Sequence, residues 1–138
     1  MNGDENMTSQ FQGHKYITLE TFKKDGTGVK TPLWFVEKDG ILYMRTPMNT
    51  WKVKRIRRNP RVRIVPSDVR GTPKGEWVSG TAEIHHESEL PWVNDLVRQK
   101  YGWLKRLMDW RSRITGKQGN FAVIAVQLDG RPGNPSDA

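Results

Sequence analysis

The segment TWKVKRIRRNPRVRIVP, Thr50 to Pro66, changes its periodicity halfway along. Thr50 is a helix-capping residue type, and Trp51, Val53 and Ile56 can face inward from one short helix. Asn59-Pro60 stops that helix, because the residue before a proline avoids helical geometry. The pattern predicts a helix over Trp51–Arg58 and a strand over Arg61–Pro66. A helix this short reads as an insertion between strands.

The flanks agree. YITLETF, Tyr16 to Phe22, alternates with Ile17, Leu19 and Thr21 on one side, and KKDGTG follows with turn chemistry. A second strand is expected over Val29–Val36, an Asp39-Gly40 turn, and a third strand over Ile41–Thr46, so that two successive hairpins make a meander. Downstream, SDVRGTPKG reads as a loop and Trp77–Ile84 as a fifth strand. Ser88 is placed to cap a helical region in which Leu90, Val93, Leu96 and Val97 keep helical spacing, and Trp103, Leu104, Leu107 and Met108 resume it after Gly102. FAVIAVQL, Phe121 to Leu128, is nearly all apolar and is expected at the centre of a sheet. Six strands with short turns predict a mainly β fold, a small antiparallel barrel.

The chain has 138 residues, one domain's length. A flexible polar leader is expected over residues 1–12, a single domain over 13–130 and a flexible tail over 131–138. The absence of Cys excludes disulfides and thiolate metal sites. MNGDENMTSQ lacks the pattern of a signal peptide and no long apolar run follows, so a cytoplasmic protein is expected.

The net charge is +8, and Lys52, Lys54, Arg55, Arg57, Arg58, Arg61 and Arg63 leave the rest of the chain almost neutral. A second basic run spans Arg98 to Lys117. Four meanings of the first run are open: a solvated face, nucleic acid, a membrane surface, or a phosphorylated cofactor. Lys52, Arg55 and Arg58 share one face by their spacing, and Thr50 with the first-turn N–H groups offers an anion site. No helix-turn-helix, zinc-finger or RNA-binding aromatic signature accompanies the cations, so nucleic acid is the weaker reading. The Trp92–Trp110 segment, the one candidate for a membrane surface, is more simply a core face. His14 stands alone and His85-His86-Glu87 lacks metal-ligand spacing, so no metal is expected. Without a nucleophile elbow, a GxGxxG motif or a P-loop, an enzyme built on this chain has to take its chemistry from a cofactor.

In order, KTPLWFV, the Asp-Gly turn, LYMRT, TWKVKRIRRNPRVRIVP and GEWVSGTAEI resemble the pyridoxamine 5'-phosphate oxidase-like, flavin-binding split-barrel family. Within it the likeness is greatest to the branch of probable coenzyme F420-dependent oxidoreductases. It runs at motif level from about Lys15 to Ile84.

The resemblance implies a six-stranded split barrel that forms a homodimer, with a flavin or deazaflavin in a groove between subunits and hydride passed to a small organic substrate. It carries the cofactor phosphate to Arg45, Thr46, Thr50, Trp51 and Lys52, and the ring to Lys30, Thr31, Pro32 and Leu33, with Trp34 next in line. Trp34, Trp51 and Trp77 are candidates to wall the groove. The surplus cations from Lys54 to Arg63 suit the long anionic tail of F420, with FMN as the alternative cofactor. The chain departs from true pyridoxamine phosphate oxidases at its end, QLDGRPGNPSDA, and where their flavin-contacting Gln falls near Gly75 or Glu76. No catalytic side chain is named. The reading of another class is a basic nucleic-acid-binding barrel without cofactor.

Overall fold

The computed structural model describes residues 8–102 and 120–129. Its strands are β1 (Tyr16–Phe22), β2 (Gly28–Leu33), β3 (Val36–Lys38), β4 (Ile41–Pro47), β5 (Arg61–Ser67), β6 (Val78–His86) and β7 (Phe121–Leu128). The α-helices are α1 (Trp51–Arg58) and α2 (Pro91–Tyr101). Every strand pairs antiparallel, in the order β2-β1-β5-β6-β7-β4-β3. Strands β2 and β3 stand at the two ends of that order, yet Trp34 and Phe35 alone separate them in the chain. The sheet therefore has to curl until its edges approach at this corner, which is the split barrel expected.

Among the described residues seven strands replace the six, because the run over Val29–Val36 breaks at Trp34-Phe35. The Phe35 N–H leaves the ladder to donate to the Tyr101 hydroxyl at 2.9 Å, and its carbonyl accepts from Lys100 Nζ at 2.8 Å. The middle strand of the meander is thereby divided, β2 pairing with β1 and β3 with β4. Pro32 costs β2 no ladder bond on its outer side, since β2 ends the sheet.

Two apolar layers hold the barrel. Inside, Ile17 and Leu19 of β1, Leu42 and Met44 of β4, Val62 and Ile64 of β5, and Ile124 and Val126 of β7 alternate inward, and Ile56 of α1 joins them. Outside, α2 lays Val93, Val97 and Tyr101 against Val36 and Val123, with Tyr43, Trp34 and Trp92 packed beside them. Strand β7 is thus covered on both faces and lies between β6 and β4, as its apolar sequence predicts.

Three further expectations need correction. Phe11 is 1% exposed inside the barrel, so the leader drawn to residue 12 is already packed before its end. Trp51 does not turn inward; it is 70% exposed, and α1 buries Val53 and Ile56 instead. Ser88 caps nothing: it lies in a 3-10 turn, Glu87–Glu89, whose N-cap is His86, and α2 starts at Pro91. The His86 ring accepts from the Ser88 N–H while the Glu89 carboxylate accepts from the His86 N–H, so histidine takes the place the serine was assigned. Residues 1–7 of the leader, the helical pattern resumed at Trp103, the Arg98 to Lys117 run beyond Gly102, and the tail 131–138 lie outside the described residues.

Candidate anion-binding site

Strand β4 alternates, sending Leu42, Met44 and Thr46 inward and Tyr43 and Arg45 outward. Thr46, 2% exposed, ends the inward row just before α1. Lys52, in the first turn of α1, folds back so that its Nζ lies 3.3 Å from Thr46 Oγ1. Burial, and then the neighbouring Arg55 charge, pushes the Lys52 pKa below the ordinary lysine value. Among the described residues no carboxylate pairs with it.

Thr50 stands at the N-cap with extended backbone angles, but its side chain makes no capping bond. Its Oγ1 is buried without a hydrogen-bond partner. The first turn of α1 contains no acid. A half-buried cation without counter-ion, an unsatisfied hydroxyl and the free N–H groups of a helix start therefore converge within three residues. An anion there would answer all three needs at once.

Arg45 does not share this seat. It projects from the opposite face of β4, its Nε 3.1 Å from Glu87 Oε1 and its guanidinium 3.7 Å above the Phe121 ring. The structure thus joins Thr46, Thr50 and Lys52 and sets Arg45 apart, while Trp51 lies exposed alongside with Lys54 Nζ 4.5 Å above its ring.

The residues expected to line a cofactor ring divide between two surfaces. Lys30 and Pro32 lie opposite Glu20 and Thr18 on the outer face of the sheet, whereas Thr31 and Leu33 lie opposite Leu19 and Ile17 on the inner one. Leu33 packs on the interior core. On the outer face Lys30 Nζ and the Arg63 guanidinium stand 5.2 and 4.9 Å from the Trp77 ring, and Arg63 pairs with the buried Glu20 at 3.0 Å. Glu20 escaped sequence reasoning as a site neighbour, and Arg63, expected to meet an anionic tail, is paired with it instead. The available signal was an acid in the middle of the otherwise uncharged YITLETF.

Most of the first basic run is spent on the fold. Arg55 Nε donates to Thr21 Oγ1 at 2.7 Å and Arg58 to the Phe22 carbonyl at 2.7 Å, so α1 is tied to the end of β1. Arg61 grips Asp129 with both nitrogens, at 3.2 and 2.6 Å. The expected common face holds, with Arg55 beside both Lys52 and Arg58, but only Lys52 on it is free of β1, and the surplus cations shrink to Lys54 and Arg57, the latter bonded to Met48 Sδ at 3.6 Å. Among the described residues no group of His, Cys, Asp and Glu could hold a metal ion, and no helix is long and apolar enough to cross a membrane.

Solved structures share this arrangement of strands. A conserved hypothetical protein of Mycobacterium tuberculosis is 22% identical with a TM-score of 0.65, over 93% of this chain and 81% of that one. The heme storage protein of Vibrio cholerae is 16% identical with a TM-score of 0.64, over 94% and 92%. An F420 reductase is 17% identical with a TM-score of 0.56, over 88% and 92%. At these identities the likeness shows the fold alone. No curated protein matches the chain. The family model for pyridoxamine 5'-phosphate oxidase matches residues 4–130, which takes in every strand of the barrel and the Thr46–Lys52 seat. By that match and by its curled antiparallel sheet, the chain belongs to the pyridoxamine 5'-phosphate oxidase family.

Proposed function

We propose that this chain is an oxidoreductase that binds the deazaflavin F420 through its phosphate at the start of α1 and works on a small organic substrate. The observation that carries this reading is the buried, unpartnered Thr50 Oγ1 beside a half-buried Lys52 without counter-ion. Thr50, Lys52 and Thr46 fit a phosphate, since each offers a donor or an orienting contact and no acid opposes it. When bound, the cofactor supplies hydride transfer. This chain's residues contribute binding and orientation, with Lys30 and Trp77 as the outer-face pair against which a planar ring can pack.

Membership of the family and the F420 reductase among the structural neighbours support the deazaflavin. Lys54 and Arg57, beside the exposed Trp51, are the cations left for an anionic tail. The exposed indole at the mouth of the seat supports a homodimer in which a second copy covers it. We take the protein to act in the cytoplasm, with no part for membrane or nucleic acid.

FMN is the second reading, favoured because Arg55, Arg58, Arg61 and Arg63 are committed to the barrel and leave few cations for a long tail. Protein purified from a host lacking the deazaflavin decides between them. It is expected to be colourless and to bind added F420, with Lys52→Ala weakening binding by about 1.5 to 3 kcal/mol. Yellow protein carrying FMN would establish the second reading. If neither cofactor binds and a gel shift with DNA or RNA weakens steeply with salt, the oxidoreductase reading fails in favour of a nucleic-acid-binding barrel.

A further inference from the structure

Arg45 is built into the outer face with more care than a solvated arginine requires. Three elements hold it: β7 supplies Phe121 beneath the guanidinium at 3.7 Å, and the turn after β6 supplies Glu87, whose Oε1 lies 3.1 Å from Nε. Helix α2 supplies Asn94, whose Nδ2 donates to that same Glu87 oxygen at 3.2 Å. The arginine and glutamate side chains are only 22% and 17% exposed. Glu87 engages Nε alone, and among the described residues neither terminal nitrogen has a hydrogen-bond partner. The guanidinium plane is therefore fixed, and among the described residues nothing bonds its outer edge of two parallel N–H groups.

We infer that this edge is a second anion point, separate from the Thr50–Lys52 seat, that receives the carboxylate of a small monocarboxylate, and that Glu87 is its positioning residue. A planar carboxylate matches two parallel N–H donors. Glu87 keeps the guanidinium plane turned outward through its bond to Nε, while its negative charge beside the edge weakens the pull on any anion. Arg45 and Thr46 project from opposite faces of β4, so the two anion points do not compete for one ligand group. This inference does not depend on which cofactor fills the seat.

Titrating the full chain with benzoate and, separately, with inorganic phosphate tests it, followed by NMR of arginine Nε–H and backbone amide signals. Benzoate is expected to move the Arg45 Nε–H signal and phosphate to move the amides of Thr50 and Lys52. Arg45→Lys should weaken benzoate about tenfold and leave phosphate unchanged. Glu87→Gln, which keeps an oxygen for Nε and removes the opposing charge, should tighten benzoate several-fold, a gain that loss of packing alone would not produce. Phe121→Leu should weaken benzoate independently. An Arg45 signal indifferent to benzoate overturns the inference, and so does a benzoate response that Lys52→Ala abolishes or a Glu87→Gln protein that binds benzoate no more tightly.

Discussion

Lys52 reaches back along the chain to Thr46, its Nζ 3.3 Å from the threonine oxygen, while Thr50 between them in sequence leaves its own hydroxyl unbonded. An N-cap threonine ordinarily stabilises its helix through that hydroxyl, and losing the bond costs about 1 kcal/mol. Here no such bond exists. Thr50→Val is therefore expected to raise the stability of the ligand-free protein, by up to about 1 kcal/mol, by removing a buried unsatisfied group. The same substitution should weaken the binding of phosphate or cofactor. Urea unfolding with and without phosphate measures both; a loss of stability without ligand would show that the hydroxyl caps α1 in solution.

The arginines committed to β1 and to Asp129 should behave as structural groups. Arg58→Ala removes the bond to the Phe22 carbonyl and Arg61→Ala the two-pronged grip on Asp129. Each is expected to cost about 0.5 to 1 kcal/mol, as partly exposed pairs do, and to leave cofactor affinity unchanged. Thermal melts alongside cofactor titrations check the separation. An affinity that fell with either substitution would return that arginine to the site.

Tyr101 fastens the corner where the sheet closes. Its ring stacks on Trp34 at 4.2 Å and 7°, its hydroxyl accepts from the Phe35 N–H, and the carbonyls of Lys15 and Phe35 lie 2.8 and 2.9 Å away. Tyr101→Phe keeps the stack but strands the Phe35 N–H, for an expected loss of about 1 to 3 kcal/mol. Near-ultraviolet circular dichroism should keep the aromatic signature while the denaturant midpoint falls.

Lys100, beside it, gives stability a distinctive dependence on pH. Burial lowers its pKa from 10.5 to about 8. Between those values the unfolded chain holds a proton that the folded chain has lost, so stability should rise with pH from about 8 upward. Burial raises the Tyr101 pKa above its ordinary 10.0, so above that pH the folded chain keeps a proton the unfolded one gives up, and stability should fall. These two groups together place a maximum near pH 10. Lys100→Met should flatten the rising limb alone, as chemical denaturation across pH 7 to 10 would reveal.

Strand periodicity and turn chemistry made β1, α1 and β7 legible to the residue, because each is bounded by a proline, a glycine or an abrupt change of polarity. The break at Trp34-Phe35 was not. An apolar run looks the same whether it stays in one ladder or passes from one sheet edge to the other, and the group that draws Phe35 out of line, Tyr101, comes from α2. For the site, neighbours in sequence were legible and directions were not. Alternation along β4 parts Arg45 from Thr46, and the same alternation splits Lys30 and Pro32 from Thr31 and Leu33. Charge counting likewise could not tell a cation awaiting a ligand from one already bonded to a strand end.

The position of β7 has a consequence for how the molecule comes into being. The last of the described strands stands between β6 and β4, so without it the order falls into two pieces, β2-β1-β5-β6 and β4-β3, joined by no pairing among the described residues. A nascent chain on the ribosome can assemble both pieces but cannot lock them together until Leu128 has cleared the exit tunnel. Until then their inner apolar rows stay open, and chaperones have a defined interval in which to act.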